Sequence, residues 1–241
     1  MIEREVEVAT PDGSMKTFIF HPETGGPFPV VIYLMDAPSI RQALKDMASR
    51  LATAGYYVML PYTFYRGGPF QEFGMSDEDM HKRRDLMRTI TKAGIASDAR
   101  ALLAYADDDH HAAAGKAGVI GFCMGGAQAL AVAAALPGRI AAAGAVHGGG
   151  YVTDRPESPH ANLAGMTAEL YFGWADQDPG APREHIAIFE KACADAGVKV
   201  TIDFMEGAMH GFAPPGGARY HRGASEKHWE RAHELFARTL K

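Results

Sequence analysis

The chain has 241 residues, a formal net charge of −5 and 47% hydrophobic residues, the make-up of an ordinary globular protein long enough to bury a full core. The negative charge, with no Lys/Arg block, gives no general attraction to nucleic acid or to anionic membrane surfaces, and no apolar run reaches the roughly 18 residues that cross a bilayer. Only Cys123 and Cys193 occur, without CxxC spacing, and the charged, alternating start "MIEREVEVATPDG" is not a secretory signal. A disulfide framework and a structural zinc site are therefore unexpected, and a cytoplasmic, reducing location is expected, with one domain over residues 1–241.

In chain order, "EREVEVAT" and "MKTFIFHP" alternate around the turn "PDGS" and read as a β-hairpin. "PVVIYLM" is a continuous apolar run of the kind found in a strand covered on both faces. "PSIRQALKDMASRLATAGY" has helical spacing, with Gly55 as a C-terminal stop. "YVMLPY" is a short strand, the loop "TFYRGGPFQEFG" follows, and residues 76–106 hold one or two helices. Next come the strand "AGVIGF", the small-residue helix "MGGAQALAVAAAL" and the strand "RIAAAGAVHGG". The strand "AELYFG", the helix around "REHIAIFEKACADAG", the strand "VKVTIDFME" and the helix "SEKHWERAHELFARTL" complete the chain. Repeated β-α-β units of this kind imply an α/β fold, a mostly parallel twisted sheet of about eight strands with helices on both faces. Functional residues then belong at the carboxyl ends of the strands.

Cys123 stands at such an end, in "GFCMGG" between a strand and a helix. Gly121 and Gly125 make G-x-C-x-G, a turn sharp enough to lift the side chain above the sheet edge. A helix N-terminus favours the thiolate there, and the Met124 N–H points where an oxyanion would form. Two further strand ends follow in the chain order nucleophile, acid, histidine. "AELYFGWADQDPG" offers Asp176 and Asp178, and "VTIDFMEGAMHGF" offers His210. Asp176 is preferred because it comes sooner after the strand. His210 would take the thiol proton, and the aspartate would hold its tautomer and orientation.

With these residues placed, the chain resembles the dienelactone hydrolase family of α/β-hydrolases over nearly its whole length. The resemblance rests on "GFCMGG", "GWAD" with its downstream proline, and "MHGF" before a C-terminal amphipathic helix. It implies a Cys123–His210–Asp176 triad and an α/β-hydrolase fold. It also implies a glutamate-like role for Asp36 in activating the thiol, with the Ala37 N–H as second oxyanion donor. Arg66, in "LPYTFYRGG", matches the arginine that binds a substrate carboxylate. The plain alternatives are a helix N-cap for Asp36 and a solvated loop residue for Arg66. One departure concerns specificity: "HGFAPPGGAR" has Pro214 near the position of the family's second carboxylate-binding arginine, and no motif fixes Arg219 or Arg222 in its place.

The expected activity is hydrolysis of a small-molecule ester or lactone through an acyl-enzyme on Cys123, by a monomer or small homo-oligomer, with no metal or organic cofactor. A general esterase or thioesterase of the same fold, and a non-catalytic small-molecule-binding protein, are the alternatives. Cys193 reads as core, and "DDDHHAA" with His110 and His111 as a polar surface turn. His147, at the strand end after the nucleophile helix, reads as a pocket-lining residue. Tyr62, Phe64, Tyr65, Phe70 and Phe73 either wall an apolar pocket or pack their loop down.

Overall fold

The alternation at the start of the chain does produce a hairpin: β1 (Ile2–Thr10) pairs antiparallel with β2 (Gly13–His21), closing on Thr10 and Gly13. The computed structural model describes residues 1–74 and 76–241, in two compact units, Met1–Gly115 and Lys116–Lys241.

In the first unit β2 pairs antiparallel with β4 (Tyr57–Pro61), which pairs parallel with β3 (Val30–Leu34), giving the order β1-β2-β4-β3. Every residue of β3 and β4 is buried, which is why neither shows period-2 alternation in sequence. Helix α1 (Gln42–Thr53) starts later than its apolar spacing suggests. Residues 36–39 instead close a turn in which the Ser39 N–H donates to the Asp36 carbonyl at 3.1 Å, with Ser39 at φ 72°. The segment 76–106 resolves into two helices, α2 (Asp77–Thr89) and α3 (Lys92–Asp107). Each has its own cap: the Ser76 hydroxyl accepts from the Asp79 N–H, and Thr91 does the same for Gly94. Ile90, extended at ψ 119°, separates them.

The second unit is a run of parallel β-α-β units. Its strands β5 (Ala117–Phe122), β6 (Ile140–Val146), β7 (Glu169–Gln177) and β8 (Val200–Met209) lie in chain order, all parallel. Helices α4 (Met124–Ala135), α5 (Glu184–Ala196) and α6 (Arg222–Leu240) connect or flank them. Cys193, on the inner face of α5, is fully buried as expected, and burial pushes its thiol up to about 11.

The turn from β5 into α4 has almost no free volume. A Cβ on Gly121 would lie 1.9 Å from the Gly125 carbonyl oxygen and 2.9 Å from the Gly126 nitrogen, both backbone atoms that cannot step aside. Gly121→Ala should therefore fall in the severe class of single substitutions, at about 3 kcal/mol or more. The check is urea unfolding: the midpoint should drop with little change in slope. An unchanged midpoint would mean that the turn is looser than this.

Candidate active site

Four consecutive strands of the second unit end in residues with chemistry: Cys123 after β5, His147 after β6, Asp178 after β7 and His210 after β8. Cys123 sits at φ 54°, ψ −119°, a region L-residues rarely adopt, with its N–H on the Val146 carbonyl at 3.0 Å. This backbone is what turns the side chain up at the start of α4. The next N–H, that of Met124, is the first of α4 and has no intrahelical acceptor to reach.

His210 joins the other two groups. Its Nε2 lies 3.0 Å from Cys123 Sγ, and its Nδ1 lies 2.6 Å from Asp178 Oδ2. Bonding to Asp178, then to Cys123, raises the imidazole from its ordinary value to about 10. Burial is the largest single influence and opposes ionisation of the Asp178 carboxyl, but the His210 bond and charge with the Gly180 N–H together hold the group below the usual range. Asp178 Oδ1 also accepts the Gly180 N–H at 2.9 Å, so both carboxylate oxygens are used.

The preference for Asp176 is corrected here. Strand β7 runs on through Gln177, further than "AELYFG" suggests, so Asp176 lies within the strand and faces solvent. It accepts the Gly207 N–H at 2.9 Å. Gln177 pairs with Met209 across the parallel strands, and the His210 N–H donates to the Gln177 carbonyl. The next residue on each strand, Asp178 and His210, therefore comes side by side. The signal in the sequence was the turn "DPG", in which the Ala181 N–H closes on the Asp178 carbonyl at 3.0 Å.

His147 is nearly fully buried at φ 39°, its ring 5.6 Å from that of His210 and 5.2 Å from that of Phe212. Neither ring nitrogen has a hydrogen-bond partner. Burial, then the charge of His210, lowers its proton affinity to about 3, so it stays neutral where His210 is charged. It packs against the catalytic-looking imidazole and does not line an open pocket.

In the first unit, Asp36 and Arg66 are both held in ion pairs. Asp36, 4% exposed, takes both Arg41 guanidinium nitrogens, at 2.6 and 2.9 Å, and it is not the cap of α1, whose N-cap is Arg41. Ala37 follows it in the turn after β3. Arg66 bonds Asp98 through two nitrogens, at 2.9 and 2.7 Å, and Asp12 through Nε at 2.8 Å, and it stacks on Tyr65. The expected free substrate clamp is thus a structural partner for Asp98, which is 1% exposed and needs a counter-charge. Tyr62, Phe64 and Phe73 are buried, with edge-on contacts among themselves and Phe70, so these aromatics pack their loop down. Arg219 reaches the His210 loop, its guanidinium 3.4 Å from the His210 carbonyl, whereas Arg222 opens α6.

A residue in a strained strand-to-helix turn, followed by an acid and a histidine at later strand ends, is the arrangement of an α/β-hydrolase. The dienelactone hydrolase family model matches residues 15–240, and the chain belongs to that family of hydrolases. It is 28% identical over 227 residues to a Synechocystis protein named "Putative carboxymethylenebutenolidase", covering 93% of this chain and 92% of that one. A Bradyrhizobium protein named "Probable 2-oxo-3-(5-oxofuran-2-ylidene)propanoate lactonase" is 26% identical over 209 residues, covering 86% of this chain and 82% of its own. The crystal structure of a "Putative Dienelactone Hydrolase" from Klebsiella pneumoniae superposes with a TM-score of 0.86 at 22% identity, covering 98% of both chains, and shows the same α/β-hydrolase fold. No helix among the described residues is long and apolar enough to cross a membrane.

Two substitutions separate the aspartates. Asp178→Asn should lower kcat by about 10³–10⁴-fold, because the amide presents the wrong partner to Nδ1. Asp176→Asn should leave kcat near wild type; a reversed ranking in the same ester assay would restore Asp176. Independently, Arg66→Ala should destabilise the fold by about 3 kcal/mol or more, by stranding the buried Asp98 carboxylate. Its KM should change little, and a large KM effect in a stably folded variant would return Arg66 to the substrate site.

Proposed function

We propose that the protein hydrolyses a carboxylic ester or lactone through an acyl-enzyme on Cys123. The observation that carries this reading is the unbroken line of hydrogen bonds from Asp178 through His210 to Cys123 Sγ. With His210 holding its proton to about pH 10, both ring nitrogens are donors at neutral pH: Nδ1–H to the Asp178 carboxylate and Nε2–H to sulfur. The reacting form is the thiolate beside the imidazolium, in which the proton exchanged between sulfur and ring rests on His210 Nε2.

Sulfur attacks the carbonyl carbon, and the C=O electron pair moves onto oxygen, where the Met124 N–H is placed to receive it. Losing such a donor costs about 10²–10³-fold in rate. As the tetrahedral intermediate collapses, His210 Nε2–H protonates the leaving alkoxide. With a lactone that alcohol stays attached to the acyl group, so the ring opens without release of a fragment. Neutral His210 then takes a proton from water, whose oxygen attacks the thioester, and the acid departs as thiolate and imidazolium are restored. Asp178 steadies the charged ring in both halves of the cycle. The similarity to a protein named as a lactonase supports the cyclic-ester side of this reading.

The test is hydrolysis of p-nitrophenyl acetate and of the dienelactones by wild type and Cys123→Ala, with mass spectrometry of quenched reactions. The expected result is activity lost in the variant and one acyl adduct on the Cys123 peptide of the wild type. Equal activity in the two proteins would remove Cys123 as nucleophile. Equal inactivity on every ester and thioester would favour a non-catalytic binding protein.

The pH dependence follows from His210. Its proton affinity is raised above the ordinary 6.5, so the pair stabilises the fold fully below about pH 6.5, and that contribution disappears as pH rises through about 10. The activity should share this alkaline limb, read as kcat/KM for an alkyl ester in a pH-stat. Asp178→Asn should move the limb to lower pH. A limb that stays put in that variant would mean that Asp178 does not set the state of His210.

A further inference from the structure

The first unit carries a second cluster of imidazoles, at the turn after α3. Asp109, His110 and His111 each offer a ligand atom, all within 4.8 Å of one another. Asp109 Oδ1 and His111 Nδ1 are 3.1 Å apart, close to the edge of about 3.4 Å between two ligands of a tetrahedral ion at bond lengths near 2.05 Å. The other carboxylate oxygen, Oδ2, takes Tyr57 and Arg4, which hold the group in place. The His110 ring lies 3.8 Å from that of His111 and is exposed, so it can swing the remaining ångström.

An independent feature points to the same place. His21, the last residue of β2, is 1% exposed, and its ring stacks on His111 at 4.5 Å. Its Nδ1 is 2.8 Å from the Pro22 carbonyl, to which it donates, leaving the Nε2 lone pair buried with no hydrogen-bond partner. The ring lies face to face with His111 and so fixes the plane of that imidazole. Burial favours the neutral form of His21. Backbone bonds from Phe28 N–H to the His111 carbonyl and from Ala113 N–H to the Phe28 carbonyl hold the segment after β2 against this turn.

We propose that Asp109, His110 and His111 bind one divalent ion of the borderline class typified by Zn²⁺, with the His21 ring packed against His111. Imidazole and carboxylate donors suit Zn²⁺, Ni²⁺ or Cu²⁺ better than Ca²⁺ or Mg²⁺. The site stiffens the turn after α3. Its role is structural, separate from the hydrolytic residues.

The experiment is calorimetric titration of ZnCl₂ into the full chain carrying Cys123→Ala, so that the thiol–imidazole pair cannot compete for the ion. The expected result is one saturable site, weakened tenfold or more by His111→Ala and by His110→Ala. Zinc should also raise the melting temperature of the Cys123→Ala protein, and this rise should shrink in each further variant. If metal-free His111→Ala does not fold by circular dichroism, the exposed His110→Ala decides alone. Absence of saturable binding, or binding of equal strength after His110→Ala, would overturn the proposal.

Discussion

Two parallel strands that end level with each other set the geometry of the candidate site. Gln177 pairs with Met209, and the first residue beyond each strand is then Asp178 on one side and His210 on the other. Neighbouring parallel strands lie about 4.8 Å apart, which is the reach an aspartate and an imidazole can close with one hydrogen bond. Shifting the register by one residue would turn one of the two side chains to the opposite face of the sheet. The 2.6 Å contact is therefore a consequence of strand length and pairing, and the charge on His210 is a consequence of that contact.

The same dependence explains which parts of the site were legible in the sequence. Cys123 was, because the glycines a tight strand-to-helix turn requires lie within two residues of it, and Gly121 is compelled by a backbone atom at 1.9 Å. His210 was, because "MHGF" reads as the loop after the last strand, although β8 runs on to Met209, past the expected end of "VKVTIDFME". The acid was not, because "ELYFGWADQ" continues as strand past its apolar residues: Gln177 still pairs with β8 beyond an irregularity at Asp176, and both residues face solvent. Apolar spacing reports which face is buried, and it is silent on how far hydrogen bonding continues after burial stops. The strand order within the first unit was equally out of reach, since β2 pairs with β4, which is distant in sequence.

Arg66 shows a different limit. A loop arginine near a strand end resembles a substrate clamp because the residue type suits a carboxylate, and the residue does hold a carboxylate. That carboxylate is Asp98, within the same unit, on a helix face whose apolar periodicity hides the need for a partner. A motif specifies what a side chain can bind. Which partner it finds depends on long-range contacts that no local pattern records. Asp36 repeats the lesson with Arg41, five residues away, where the turn at Ser39 brings the pair together.

His147 and His210 put one residue type in two opposite states within 5.6 Å. His210 has an anion on one nitrogen and sulfur on the other, and each favours the proton. His147 is more deeply buried, has no partner at either nitrogen and faces a charged ring, and all three disfavour it. Two imidazolium ions at this separation would repel in a medium that screens them poorly, so protonation of one suppresses protonation of the other. The Asp178 carboxylate decides which ring is charged, because it lies within hydrogen-bond reach of His210 alone. His147 then contributes bulk beside His210 without competing for its proton, and the strained backbone at Cys123 faces a single cation.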